Sequence, residues 1–131
     1  MTILSPDIRA NGFWLTLAVV LTVTLGIAHS ALGERYILRR LFRRAGLPTL
    51  FGSDVFTRRT LRFAWHLTSI AWWGIAAAFV ALGAGSARAG VLILAGTFAL
   101  SGVITLVASR GHHLAWLVFL AIGLFAWLGA P

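Results

Sequence analysis

Four histidines, His29, His66, His112 and His113, are the residues of this chain whose chemistry reaches beyond packing. A neutral imidazole can accept a proton or ligate a transition metal, and its ordinary titration lies near physiological pH. There is no cysteine, which excludes disulfides, thiolate metal sites, iron–sulfur ligation and thiol nucleophiles together. The acids number three, Asp7, Glu34 and Asp54. No glycine-rich phosphate loop, serine hydrolase elbow, HExxH or C-x-x-C-H pattern occurs, so no enzymatic reaction is assigned from a motif.

Two arrangements of these histidines are chemically complete. Haem b held between His29 and His66 needs two facing imidazoles, an apolar slot to which Trp65 and Phe63 are suited, and arginines for the propionates, which Arg35, Arg62 and Arg110 supply. A mononuclear zinc or iron site would instead gather His29, His66 and His112 or His113, with Glu34 as an optional oxygen ligand. Neighbouring serine and threonine hydroxyls would orient the rings from behind. The plainer account is structural. A histidine near a helix C-terminus bonds the last free carbonyls and suits the negative end of the dipole, which covers His29 and His112. His66 starts its helix, where the dipole disfavours a charged ring, but one hydrogen bond to Glu34, Ser30 or Thr68 would account for it.

The elements that must position these rings are read from composition. Of 131 residues, 60% are hydrophobic and 11% charged, a balance far from that of a soluble domain. Four apolar stretches approach the ~20 residues needed to cross ~30 Å of hydrocarbon: 13–32, 63–83, 90–109 and 114–130, the last slightly short. The polar break Arg110-Gly111-His112-His113 separates the third from the fourth. Ala28-His29-Ser30 has the small-residue spacing of a signal-peptidase site, yet Asp7 cancels Arg9 before the apolar run and the arginines follow it, so the segment is expected to be a retained span.

The net charge is +8, and every cation is arginine. Eight arginines lie between the first two spans, opposed by Glu34 and Asp54, whereas the turn between the second and third carries only Arg88. The positive-inside rule then makes loop 33–62 cytoplasmic and both termini external, in a bacterial inner membrane if the source is bacterial. Within that loop Arg35 to Ala45 is amphipathic. Its arginines fall on one half of a helical wheel and Ile37, Leu38, Leu41, Phe42 and Ala45 on the other, which predicts an interfacial helix on anionic lipid. Gly33 would end the first span, Glu34 would open the interfacial helix, and Ser53 or Asp54 would cap the run into the second span. A nucleic-acid partner is not expected for a loop tied to the membrane at both ends.

The expected fold is therefore all-α: a single domain, 1–131, forming an antiparallel four-helix transmembrane bundle with an amphipathic interfacial helix between spans one and two. This topology sends all four histidines to the cytoplasmic side, with His29 and His66 at matching depths, about 5 to 6 Å inside their helix ends. Three stripes lead toward them: Ala18, Thr22, Gly26, His29 and Gly33; Arg62, His66, Ser69 and Trp73; and Gly102, Thr105, Ser109 and His112. Trp14, Trp65, Trp116 and Trp127 read as interface anchors, and Trp72 and Trp73 as packing. The spans lack the midplane acid that drug exporters of this size use. The resulting functional expectation is a small multi-pass protein with a cytoplasmic-side histidine cluster binding haem b or a metal, for electron transfer or cofactor handling. The alternative is a non-enzymatic accessory or scaffold protein with structural histidines, acting as a homo-oligomer or within a larger membrane complex.

Overall fold

The computed structural model describes residues 6–131, with side chains from Gly12 onward; Asp7 and Arg9, weighed above against a signal peptide, lie outside the described side chains. The order of elements is α1 (Pro6–Leu32), a π-helical segment (Gly33–Leu38), α2 (Arg39–Leu41), α3 (Val55–Gly83), α4 (Ala87–Ser109) and α5 (Ala115–Leu128). Three helical stretches are long and apolar enough to cross a membrane: Gly12–Leu41, Val55–Gly83 and Ala87–Ser109, of 30, 29 and 23 residues. Helix α5 has 14 residues, about 21 Å at 1.5 Å per residue. The remaining distance along α4 is covered by the chain after α5, where the Arg88 guanidinium donates to the carbonyl oxygens of Ala130, at 3.3 Å, and Pro131, at 2.6 Å.

The helices stand in a row rather than around a common axis. Among the described residues α1 packs on α3, α3 on α4 and α4 on α5, and no Cα of α1 comes within 8 Å of α4 or α5. This differs from the expected antiparallel four-helix bundle, and the reason lies in α3. Its Arg62, His66, Ser69 and Trp73 face α1 and the π segment that continues it, while Gly74 is pressed against Thr97 of α4. Small residues carry the contacts throughout, as expected where lipid removes any hydrophobic drive between helices and close approach supplies the attraction. The buried apolar side chains among the described residues are Leu38, Phe63, Ala76, Ala78 and Ala95, beside buried Ser69, Ser101, Thr105 and Ser109.

Four further expectations are corrected. The interfacial helix does not form as a separate element, because helical structure runs unbroken from α1 through the π segment to Leu41. Gly33 does not end the first helical span, which runs on to Leu41. It is buried, and the Trp65 ring lies where its Cβ would be, so its lack of a side chain serves a close contact rather than a cap. The second apolar helix begins at Val55, not near 63, placing Arg58, Arg59 and Arg62 on helix rather than loop. Asp54 precedes α3 but makes no capping bond; its carboxylate accepts from Arg58 Nε, at 2.8 Å, and a second guanidinium nitrogen, at 2.5 Å. Arg58 also donates to the Phe42 carbonyl, so one side chain ties both ends of the 42–54 linker together.

Candidate functional site

The polar chemistry of the chain collects along the seam between α1 and α3. Ser69, wholly buried, donates to the Gly26 carbonyl at 2.9 Å, and Ser30 donates to Ser69 Oγ at 2.9 Å. His66 Nδ1 lies 3.0 Å from Ser30 Oγ. Because the Ser30 hydrogen is directed at Ser69, the ring nitrogen is the donor in this contact. His66 Nε2 then faces Glu34 Oε2 at 3.6 Å. Glu34 is shared: Arg62 approaches it at 3.2 Å and Arg39 at 3.7 Å. One carboxylate from the π segment thus meets cations from α2 and α3 where the seam leaves the apolar zone.

His29 is placed differently. Its ring stacks on Trp65, with centroids 4.5 Å apart and planes 6° from parallel, and meets the edge of Trp72 at 5.0 Å. The Trp65 indole donates to the His29 carbonyl at 3.0 Å, and the Trp73 indole to that of Val23 at 3.2 Å. Trp73 also covers Gly26. His29 Nε2 is enclosed and meets no hydrogen-bond partner among the described residues.

The predicted site residues are therefore brought together only in part. The match in level stands, since His66 bonds the residue next to His29 along α1, although neither ring lies one turn inside a helix end, because α3 begins at Val55 and helical structure continues past His29 to Leu41. The azimuth does not: consecutive helical residues point about 100° apart, so Ser30 takes the position opposite His66 while His29 turns toward the tryptophans. His112 and His113 go elsewhere. The His112 ring lies 5.2 Å from Phe51 and 6.3 Å from Phe56, and its Nδ1 contacts the Ser109 carbonyl at 3.1 Å. His113 sits edge-on to Phe63 at 5.9 Å. Of the third stripe, Gly102 faces α5, where Leu120 packs over it. Among the described residues no three histidine, aspartate or glutamate side chains are arranged to hold a metal ion. Of the arginines assigned to propionates, Arg62 is engaged by Glu34, and Arg35 lies over the Tyr36 ring at 5.4 Å.

Ser30, His66 and Glu34 carry the residue types of a hydrolytic triad, but their hydrogen bonds run the wrong way for one. A nucleophilic serine must give its proton to the imidazole, whereas Ser30 donates to Ser69, and the chain ends on a backbone carbonyl. What the arrangement does is fix the rotation of α1 against α3. Ser30 was among the partners expected to account for His66 and is one, whereas Ser69 lay on the right stripe without an assigned role. Serine at i+4 from Gly26 and i−4 from Glu34 was the available signal.

Comparison with protein-family models, curated proteins and solved structures finds no match to this chain.

Proposed function

We propose that the chain is a non-enzymatic membrane scaffold or accessory protein whose histidines serve its own helix contacts, in a bacterial-type inner membrane with linker 42–54 on the cytoplasmic side. The observation that carries this reading is the occupation of both seam imidazoles: His29 lies against Trp65 and Trp72, and His66 lies between Ser30 and Glu34. A ring that ligates iron or zinc through Nε2 needs that nitrogen to face open space at about 2 Å from the metal. Here His29 Nε2 is enclosed and His66 Nε2 faces a carboxylate.

The unpartnered Nε2 of His29 favours a second reading, in which haem b or a transition metal is held there after the tryptophans move. One experiment separates the two. Purified wild-type protein is expected to lack a Soret band and stoichiometric metal, and His29→Phe is expected to fold normally. A Soret band or bound metal that disappears in both His29→Ala and His66→Ala would overturn the scaffold reading. Orientation is checked with single thiols in this cysteine-free chain: Ala45→Cys should label from the cytoplasmic side and Ala87→Cys from the opposite side, and the reverse pattern would invert the assignment.

A further inference from the structure

The α3/α4 junction carries a groove of about 660 Å³ that is not part of the histidine seam, although His66 borders it. One end is lined by Arg58, Arg59, Arg62 and Arg110. Leu67, Ile70 and Ile104 line the other. From Arg62 to Ile70 the helix rises about 12 Å, close to half of a ~30 Å hydrocarbon layer. The groove is therefore cationic at headgroup level and apolar for the depth of one leaflet. We propose that it binds one anionic phospholipid, with the phosphate between Arg59 and Arg110 and an acyl chain along Leu67, Ile70 and Ile104.

The charge at the groove's mouth is not all spent internally. Arg58 is taken by Asp54, and Arg62 by Glu34. Arg59 and Arg110 have no ion pair or side-chain hydrogen bond among the described residues. Both also line a smaller adjoining cavity of about 200 Å³ beside Ser53 and His112, so they stand where the two spaces meet. A second feature marks Arg110. It ends α4 in the left-handed region, at φ 52° and ψ 39°, a conformation that glycine adopts at lower cost. The chain keeps a strained arginine there, with its side chain at the groove. The opposite side of the α3/α4 contact gives a contrast: a cavity of about 460 Å³ lined by Ala71, Ile75, Leu94 and Phe98 has apolar walls and no arginine. An uncharged acyl chain suits both sides, and an anionic lipid suits only one.

The test uses the full chain in detergent, titrated with phosphatidylglycerol or with phosphatidylcholine of the same acyl chains, and bound lipid is counted by native mass spectrometry. Wild type is expected to retain one phosphatidylglycerol with roughly tenfold preference. Arg59→Gln and Arg110→Gly should each reduce that affinity about fivefold, the equivalent of one arginine near an anionic surface. Arg110→Gly separates binding from folding, because it relieves the left-handed strain and should leave the melting temperature unchanged or raised. Ile104→Trp, which fills the groove, should abolish retention, whereas Leu94→Trp on the opposite side should not. Equal retention of the two lipids, or a preference unaltered by Arg59→Gln and Arg110→Gly together, would overturn the proposal. So would glycerol phosphate displacing the lipid at equal concentration, since the site would then be one for a soluble anion.

Discussion

At His29 two opposing terms can be separated by substitution. Stacking on Trp65 and edge contact with Trp72 contribute about 0.5 to 1.5 kcal/mol per aromatic pair beyond area burial, while an enclosed ring nitrogen without a partner costs about 1 to 3 kcal/mol. Phenylalanine keeps the first and removes the second. His29→Phe should therefore match or exceed wild-type stability in detergent melting, and His29→Ala should lose about 2 to 4 kcal/mol through the missing ring and the cavity it leaves. A His29→Phe protein less stable than His29→Ala would show that the nitrogen itself holds something. Around Glu34 the expectation differs, because its charge is shared among Arg39, Arg62 and His66. Glu34→Gln should cost about 1 kcal/mol, the scale of a partly exposed ion-pair network, and the loss should shrink at high salt.

Between the helices, the linker is governed by a single ion pair. The hydrogen bond from Arg58 holds the Asp54 carboxyl below its ordinary value of 3.8, against an opposing effect of desolvation. A carboxyl whose pKa is depressed on folding contributes stability that is fully present above the ordinary value and lost as pH falls through the lower folded value. The 42–54 linker should thus keep its protection against proteolysis at neutral and mildly acidic pH and lose it only below about pH 4. Asp54→Asn should be cleaved equally at every pH, and a wild-type transition near pH 6 would contradict this account. The elements also show what periodicity reveals. The α3 stripe of Arg62, His66, Ser69 and Trp73 was legible because residues at i, i+4 and i+7 must share a face, and all four meet α1 or the π segment that continues it. The start of α3 was not legible, since arginines read as loop by hydropathy while a helix beyond the hydrocarbon boundary carries them without cost. Nor was the π segment, whose extra residue per turn leaves no compositional trace.

For the molecule as a whole, apolar length located the three long helices to within a few residues, except at the arginine-bearing ends, where the first runs on to Leu41 and α3 begins at Val55. What a single sequence withheld was which helices are neighbours and at what rotation, and the histidine cluster depended on both. Two antiparallel helices can share a depth and still turn adjacent residues to different flanks, as Ser30 and His29 do.

A row of helices has a thermodynamic signature that a closed bundle lacks. Each interface involves only one adjoining pair, so strength should accumulate like links in a line, with little cross-talk between distant joints. Ser69→Ala weakens the first joint by about 1 kcal/mol. Gly102→Ala disturbs the last, where a Cβ would come within 2.8 Å of Leu120. In a double-mutant cycle the two losses should sum within about 0.5 kcal/mol. A larger coupling energy would mean that α1 and α5 communicate through some contact outside this linear order.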